Sequence, residues 1–418
     1  MGNLKGVDIQ RGSIGANVLG NTDGISGLLV NAPAIVAGAG ATGLAVGVTA
    51  KITKLSEAVA RGITAAYDTA NNVRVYRHIS EFYRMAGDGN TLYVMLYTGT
   101  PAEALSNAIY AKKMLTDANG EIRQLALAYN PDLIYVPTYV NGLEENVHAA
   151  IAAAQTLYDW AWSKLFPCQI LIEGRGYNAV NAAATIDLRT LTATKVSLCI
   201  GQDYKYAETQ NAVGKKMADV GTLLGVLGAI SVNRNVGEVA TMNLTNPTKN
   251  LWVVAGLSNH KTIAEMDVDL EDLDTKGYIF PISFIGYAGI FWNNDHTCAA
   301  IIQDEDGNVN EYCIAYGRTH DKAVRQLYLA LLPQVKSTQQ VDKTSGKLPP
   351  GLVKYFEGLG DTALGKMERN KEISAGKTTI DADSNLLVIP RVLSVSFKIQ
   401  PTGTIDLISG TINLQTSI

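Results

Sequence analysis

The sequence has few charged residues and no excess of basic ones. Charged side chains make up 18% of its 418 residues, below the roughly one quarter that is usual in soluble domains. Lys and Arg number 35 against 39 Asp and Glu, which gives a net charge of -4. This balance excludes the strong attraction to phosphates on which most nucleic-acid binding depends, so we expect no nucleic-acid partner. A charge-poor surface suits a protein that is largely covered in an assembly, although a large single core would give the same figure.

Cysteine is scarce as well. The four cysteines are Cys168, Cys199, Cys298 and Cys313, and no two of them have CxxC spacing. This pattern excludes a zinc site of the common kind and a disulfide framework. We expect Cys298 and Cys313 to lie opposite each other in a hairpin as a reduced, packed pair.

The sequence lacks the marks of export and of membrane insertion. Residues 1–5 open onto polar sequence, and we predict no signal peptide. Residues 25–50 carry no charge, but they are rich in Gly and Ala and include Asn31 and Pro33. Because such a segment has little drive to enter a bilayer, we predict no membrane span.

Two glycine-rich stretches match nucleotide-binding motifs incompletely. Gly38–Gly43 fits GxGxxG, but neither a helical pattern nor a suitably placed acidic residue follows it. Gly360–Lys366 fits most of a P-loop, yet Met367 stands where magnesium binding needs Ser or Thr. We interpret the first as a loop and predict that neither binds a cofactor.

The sequence shows no familiar catalytic or metal pattern. It contains no GxSxG serine, and its five histidines include no HExxH pair. Asp304, Asp306 and Gly307 are predicted to form a hairpin turn rather than a calcium loop. The acidic run 267–274 is interpreted as a solvated loop. We therefore expect no metal site and no catalytic residue.

Helical and strand patterns alternate through most of the chain. Predicted strands cover residues 24–30, 91–97, 124–128, 133–136, 169–172 and 195–200. Predicted helices cover residues 54–68, 143–164 and 319–332, with Thr53 as the N-cap of the first, and a short helix is predicted near 352–356. A further helix is predicted to start at the capping box Thr100-Pro101-Ala102-Glu103 and to run through Lys112. Residues 297–316 are predicted to form a hairpin around Asp306-Gly307. This alternation predicts an α/β body.

The C-terminal segment alternates with a period of two. Its apolar positions are Leu393, Val395, Phe397 and Ile399, then, after a turn at residues 401–403, Ile405, Leu407, Ile412 and Leu414. The phase slips at Ser409-Gly410, where a bulge or bend is expected. Val7 and Ile9 alternate in the same way near the other end of the sequence. Because an uncovered edge strand invites pairing with another chain, we predict contacts between subunits at Val7, Ile9, Ile405, Leu407, Ile412 and Leu414.

Short motifs in a fixed order give the chain a resemblance to the contractile tail sheath proteins of phages and related injection systems. They are Gly6-Val7-Asp8-Ile9, Ile25-Ser26-Gly27-Leu28, Asn130-Pro131-Asp132-Leu133-Ile134-Tyr135-Val136-Pro137, Gly277-Tyr278, Gly289-Ile290-Phe291-Trp292, Asp295-His296-Thr297, Gly317-Arg318-Thr319 and Lys398-Ile399-Gln400-Pro401. The first three resemble the family's N-terminal arm, its first core strand and its Pro-ended strand before a long helix. The next three resemble the family's Gly-aromatic-Trp strand and the loop after it. The last two resemble the region that joins the C-terminal domain and the closing hairpin. Lys5 departs from the family, which often has Pro there, and residues 334–351 have no counterpart.

The resemblance implies a structural protein rather than an enzyme. Sheath subunits stack as rings around an inner tube, and arms of adjacent subunits add strands to a sheet in a third subunit. Contraction of the metastable lattice drives the tube into a target. The implied partners are identical subunits, the inner tube protein, and baseplate and terminator proteins. The implied location is cytoplasmic assembly, followed by incorporation into a phage tail or injection particle, with no cofactor required.

The predicted fold class is α/β, or α+β overall, with a mixed-sheet body, a smaller C-terminal α+β domain and extended terminal β arms. The predicted boundaries are an N-terminal arm at 1–22, a body at 23–296, a C-terminal inner domain at 297–403 with a linker at 334–351, and a C-terminal β arm at 404–418. Two other functions stay open. One is a nucleotide- or dinucleotide-dependent α/β enzyme, and the other is a different virion or injection-system component, such as a tube or baseplate protein.

Overall fold

The computed structural model of the chain describes residues 22–38, 40–389, 391–412 and 414. Its α-helices are α1 (Leu55–Ala60), α2 (Ala65–Asn71), α3 (Val75–Ala86), α4 (Pro101–Ser106), α5 (Ala111–Asp117), α6 (Glu145–Ser163), α7 (Tyr204–Glu208), α8 (Val220–Ala229), α9 (Asp267–Thr275), α10 (Ile314–Leu331) and α11 (Pro350–Arg369). Its strands are β1 (Ser26–Asn31), β2 (Ala50–Ile52), β3 (Leu92–Tyr97), β4 (Gln124–Ala128), β5 (Tyr139–Val140), β6 (Leu143–Glu144), β7 (Gln169–Glu173), β8 (Thr192–Ala193), β9 (Val196–Cys199), β10 (Gly201–Asp203), β11 (Ala255–Leu257), β12 (Lys261–Thr262), β13 (Pro281–Phe284), β14 (Tyr287–Trp292), β15 (Cys298–Ala299), β16 (Ile373–Ile380) and β17 (Val395–Pro401). The predicted mixture of helix and strand is confirmed.

A six-stranded sheet in the order β2-β3-β1-β4-β7-β9 forms the centre of the body. Its neighbouring strands are parallel, except that β2 runs antiparallel to β3. All six residues of β3 are buried, as expected for a strand covered by helices on both faces. The sheet is therefore mixed, as predicted.

Two hydrophobic cores lie on opposite faces of this sheet. On β1, Leu29 faces the core formed with α4, α5 and α6, whereas Leu28 and Val30 face the core formed with α3 and α8. This division follows from the period of two along a strand. The body therefore has three layers, with helices above and below the sheet.

A smaller unit follows the body. Helix α10 has a buried N-terminal half, and farther along it Ala323 and Leu327 enter a small core with residues of α11 and β16. Strands β16 and β17 pair antiparallel, and α11 packs on β16. A second small core contains Leu348, Phe356 and Ile380. This arrangement agrees with the smaller α+β part expected at the C-terminal end.

The predicted helix 54–68 is divided into α1 and α2. Gly62 between them has φ +89°, which favours glycine, and a methyl group there would lie 2.9 Å from Ile35 Cγ2. Lys54, not Thr53, is the N-cap of α1, and Thr64 accepts a hydrogen bond from the Tyr67 N–H at the start of α2. The close approach of the Ile35 segment thus overrides the helical periodicity.

The capping box at Thr100 and Glu103 is confirmed, but its helix is shorter than predicted. It ends at Ser106, and Asn107 Oδ1 then accepts a hydrogen bond from the Ile109 N–H. This local turn offers the backbone an alternative to the helix. A new helix, α5, begins at Ala111.

Three further sequence predictions are wrong. Residues 133–136 form no strand, because Tyr135 N–H donates to Asp132 O in a turn. The acidic run 267–274 belongs to helix α9, where acidic residues in the first turn suit the helix dipole. The short helix expected near 352–356 is the start of the twenty-residue α11.

The predicted placement of Cys298 and Cys313 opposite each other is wrong. All four cysteines are buried, and each is free in the structure. Cys313 bridges to His296, however, and Cys298 pairs with Ala193 of β8. The expected turn is present, since Gln303 bridges to Val309 around Asp306-Gly307, but the hairpin leaves Cys298 and Cys313 out of register.

Candidate interface at the C-terminal sheet

Glycines allow α11 to lie very close to β16. A methyl group on Gly360 would lie 2.2 Å from Thr378 Oγ1, and one on Gly376 would lie 2.7 Å from Leu364 Cβ. Real side chains essentially never approach so closely, and larger residues would force the helix away. The two glycines therefore allow the short distance between α11 and the sheet.

A buried ammonium group connects this sheet to the body. Lys322 Nζ on α10 lies 2.5 Å from Asp23 Oδ2 and 2.6 Å from Glu372 Oε1. Asp23 lies just before β1, and Glu372 lies just before β16. On the same helix, Arg318 donates to the carbonyl oxygens of Asp23 and Leu227. Helix α10 thus positions the C-terminal sheet relative to the first strand of the body.

Strand β17 is the last strand of the two-stranded C-terminal sheet. Val395 and Ile399 are half-buried on the side of α11, while Ser396, Lys398 and Gln400 are exposed. This alternation confirms the predicted period of two. The partner strand differs from the prediction, since β17 pairs with the preceding β16 and not with a following strand.

The segment after β17 pairs with no strand of its own chain over residues 402–412 and 414. The turn predicted at 401–403 therefore does not close a hairpin. The predicted contact residues in this segment are strongly exposed: Ile405, Leu407, Ile412 and Leu414. Among them, Ile412 and Leu414 are 94% and 100% exposed, which leaves their apolar side chains without packing. Val7 and Ile9 lie outside the described residues.

The start of this segment passes along a groove of about 780 Å³ on the body. Asn233 Nδ2 donates to Thr402 Oγ1 at 3.1 Å and also to the Lys371 carbonyl oxygen. Beneath the groove, Asp295 accepts hydrogen bonds from the Ala315 N–H and from Asn235 Nδ2. Burial raises the pKa of Asp295 to about 7, and the charge of Asp406 adds to this increase. The hydrogen bond from the Ala315 N–H acts in the opposite direction and lowers the pKa.

A second cavity, of about 760 Å³, is lined by acidic groups that already accept hydrogen bonds from other parts of the protein. Asp68 accepts from the Tyr76 and Arg77 N–H groups at the start of α3, and burial raises its pKa to about 7. Glu81 accepts from Arg84 and from the Trp252 ring N–H. These contacts hold helices and loops together, and we assign this cavity no chemistry.

The two glycine motifs have the wrong surroundings for nucleotide binding. Gly38 bridges to Ala41 in a tight turn, and the next helix, α1, begins only at Leu55. Gly360–Lys366 lies inside α11, where its backbone N–H groups serve the helix and cannot surround a phosphate. The geometry that either mechanism requires is therefore lacking at both motifs.

Within the described residues, no three His, Cys, Asp or Glu side chains come together as a metal site. Asp304, which belongs to the predicted hairpin turn, accepts hydrogen bonds from the backbone N–H and the side-chain amide of Asn308. In the same part of the chain, no helix is long and apolar enough to cross a membrane. Residues 25–50 instead contain β1, short bridged segments and the start of β2.

Sequence reasoning missed strand β16 and the side chains that surround it. Its β-branched residues Thr378, Thr379 and Ile380 were the available signal, which Gly376 interrupts. Asp361 and Glu357 on α11, which contact the backbone of β16, had no signal in sequence spacing alone.

Comparison with solved structures identifies the class of fold. The chain matches a chain in the structure of the anti-feeding prophage baseplate, with a TM-score of 0.59, 13% identity and 100% of both chains covered. It also matches a chain of the anti-feeding prophage helical sheath in the contracted state, with a TM-score of 0.56, 13% identity and 99% of both chains covered. The protein thus has a fold like that of a contractile sheath protein, and the resemblance expected from the sequence is confirmed at the level of the fold.

Family models identify the chain more closely. The model described as the DUF2586 N-terminal domain matches residues 14–296, and the DUF2586 C-terminal domain matches residues 312–418. The chain therefore belongs to the DUF2586 family. No curated protein matches the sequence.

Proposed function

We propose that the protein is a structural subunit of a contractile sheath, which stacks as rings around an inner tube and contracts to drive the tube into a target. The observation that carries this proposal is the match to a chain of the contracted sheath over 99% of both chains. A match over the whole length includes the C-terminal sheet as well as the body. The proposed role requires no catalytic residue and no cofactor.

Terminal segments link the subunits in this proposal. The residues proposed to contact neighbouring subunits are Val7, Ile9, Ile405, Leu407, Ile412 and Leu414. Support comes from the four described members, whose apolar side chains are exposed and unpacked in the single chain. An extended segment that adds to the sheet of another copy would cover both the segment and the edge that it joins. Such head-to-tail contacts build helical polymers when they do not close.

The proposed organisation keeps the boundaries predicted from the sequence: arms at 1–22 and 404–418, a body at 23–296 and an inner domain at 297–403. The end of the N-terminal family model at residue 296 supports the second boundary. The proposed partners are further copies of the chain, an inner tube protein, and baseplate and terminator proteins. We propose that the particle assembles in the cytoplasm.

Negative-stain electron microscopy of the purified protein tests this function. We expect hollow tubes from the full chain, and no tubes after deletion of residues 1–12 or of residues 404–418, while circular dichroism shows a folded subunit. A double substitution, Ile405→Asn with Leu407→Asn, should have the same effect. The matched control is Val180→Asn with Val268→Asn, which changes two apolar residues that are 96% and 94% exposed elsewhere. Tubes that persist in both deletions would contradict the proposal.

A second candidate is a subunit of the sheath fold that stays at the baseplate. The match to a chain in the baseplate structure favours it. The same micrographs distinguish the two, because a baseplate subunit should form single rings or small complexes instead of long tubes.

A further inference from the structure

The C-terminal end of helix α10 and the turn after it leave a row of apolar side chains exposed. Tyr328 and Leu329 lie one helical turn before Leu332, so the three side chains are neighbours on the surface. Val335 follows in a turn in which its N–H donates to the Leu332 carbonyl oxygen. Leu329 and Val335 are each 64% exposed. This end of the helix therefore presents apolar surface to the solvent.

A hollow of about 40 Å³ extends this surface toward the end of helix α6. Tyr328 lines it together with Trp162 and Leu165, which are themselves exposed. A bound water needs roughly 10–15 Å³, so the hollow has room for a small aliphatic group. Exposed apolar surface of this kind marks sites of protein association. The surface, named here the α10 patch, consists of Trp162, Leu165, Tyr328, Leu329, Leu332 and Val335.

The charges beside the α10 patch are positive. Lys164 precedes Leu165 and Lys336 follows Val335, and both lysines are exposed. Neither ammonium forms an ion pair within the described residues. A surface that combines apolar side chains with carboxylates would therefore complement the patch in both packing and charge.

The hairpin of residues 300–311, just before α10, has this composition. Gln303 bridges to Val309, so Ile301 and Val309 lie on one face of the hairpin because side chains alternate with a period of two. Ile301 is 65% exposed and Val309 is 43% exposed. The exposed tip carries three carboxylates, none of which forms an ion pair within the described residues: Asp304, Glu305 and Asp306.

Helix α10 keeps the hairpin and the α10 patch of one chain apart. The hairpin is held at the start of the helix, where Glu311 Oε1 lies 3.2 Å from His320 Nδ1. The patch lies at the other end, and the 18 residues of the helix span about 27 Å. Two copies displaced along the helix axis can bring the two surfaces together. Because the surfaces differ, the same contact repeats from copy to copy, as a helical polymer requires.

We propose that the face of Ile301 and Val309 on the hairpin of one copy docks on the α10 patch of a second copy, with the acidic tip beside Lys164 and Lys336. The inference rests on the proposed function and adds to it a contact that involves neither terminal segment. The contact removes apolar side chains of both copies from water. The charges select the partner surface and the orientation.

Cross-linking between two single-cysteine variants tests which surfaces meet. Full-length Val309→Cys and Leu332→Cys proteins are mixed, oxidised mildly and separated on a non-reducing gel; the four native cysteines are buried and do not compete. We expect at least about fivefold more disulfide-linked dimer from the mixture than from either variant alone, because docking concentrates the two thiols. The control mixture pairs Leu332→Cys with Val180→Cys, which is 96% exposed elsewhere on the body. A yield no higher than that of the control would overturn the proposal, and so would equal linking of Val309→Cys to itself.

A charge exchange tests the orientation. One protein carries Lys164→Glu with Lys336→Glu, and the other carries Glu305→Lys with Asp306→Lys. We expect each alone to associate only at a concentration at least about fivefold higher than the wild type, measured by light scattering, because attraction is replaced by repulsion. An equal mixture should associate like the wild type, since each hairpin then meets a patch of opposite charge. A mixture that associates no better than its components would overturn the proposal.

A matched control and the micrographs separate this inference from the proposed function. Lys54→Glu with Lys249→Glu makes the same change of charge at two exposed lysines elsewhere on the body and should alter association by less than about twofold. Tubes from the wild-type protein, with neither cross-linking nor charge exchange, would contradict only the inference. Cross-linking and charge exchange without tubes would contradict only the sheath function.

Discussion

Arg77 holds together a group of buried charges in the body. Its guanidinium lies 2.9 Å from Asp219, 3.3 Å from Asp203 and 3.6 Å from Glu81, all of which are buried. Burial opposes ionisation of Glu81, but Arg77 and Arg84 bring its pKa down to about 2. We expect Arg77→Met to lower the free energy of unfolding by about 3–5 kcal/mol, because it leaves buried carboxylates without their counter-charge.

Urea denaturation at neutral pH measures this effect. The control is Lys205→Met, which removes one member of an exposed pair with Glu208. Since such surface pairs contribute little, we expect a change within about 1 kcal/mol. A loss in Arg77→Met no larger than in the control would show that the three carboxylates do not depend on Arg77.

His78 gives the protein a defined sensitivity to acid. Burial, together with Arg74 and Arg77, lowers the pKa of His78 to about 3, and its Nδ1 accepts a hydrogen bond from the Gly221 N–H. In the unfolded chain the imidazole gains a proton near pH 6.5, so the unfolded state binds more protons below that pH. The stability that His78 provides is therefore present above about pH 6.5 and is lost as the pH falls toward about 3.

His78→Asn should reduce this acid sensitivity, because asparagine keeps an acceptor near Nδ1 and does not titrate. Denaturation curves at intervals between pH 7 and pH 4 give the slope of the unfolding free energy against pH. We expect the wild-type slope to exceed that of the variant by up to about 1.4 kcal/mol per pH unit, the value for one proton. Identical slopes would mean that His78 takes up a proton in the folded protein.

At the scale of elements, the contact between α11 and β16 depends on Gly360 of the helix and not on Gly358, two positions earlier. A methyl group on Gly360 would meet Thr378 Oγ1 at 2.2 Å, whereas none of the surrounding atoms would come within 4 Å of one on Gly358. We expect Gly360→Ala to cost about 1–3 kcal/mol through displacement of the helix. Gly358→Ala is the matched control and should stabilise by about 1 kcal/mol, because alanine favours the helix. Thermal unfolding followed by circular dichroism distinguishes the two; equal shifts would contradict the close contact.

Some helices and strands could be predicted from the sequence, and others could not. Five strands of the main sheet were predictable because their apolar runs are buried on both faces, as in β3, whereas the three-residue β2 was not predicted. The division of the helix at Gly62 was not, because it depends on Ile35, which is distant in sequence. Helix α11 was underestimated because Gly358 and Gly360 weaken a helical pattern, although the second is required by packing. In the interface, exposed apolar residues such as Ile405 were visible in advance, but the partner strand of β17 was not.

At the scale of the whole molecule, Lys322 is a buried link between the body and the C-terminal sheet. Lys322→Met leaves the carboxylates of Asp23 and Glu372 without this ammonium, and we expect a loss of about 3 kcal/mol or more. We also expect the C-terminal unit of the variant to unfold in a separate transition at lower temperature, since it loses an attachment. Differential scanning calorimetry measures both. Lys113→Met, which removes an exposed pair with Asp117, is the control; if the two variants behave alike, Lys322 is not a link.

The positions of Lys322 and its two partners along the chain also determine when their contact can form during synthesis. Its carboxylate partners stand 299 residues before it and 50 residues after it. The ribosome therefore produces Asp23 first, the ammonium much later and Glu372 later still. Although N-terminal segments generally fold first during translation, the residues that lead into β1 acquire this ion pair only when the chain is nearly finished. The contact between Asp23 and Lys322 therefore closes after β1, β3 and β4 have all been synthesised, and Glu372 completes it last.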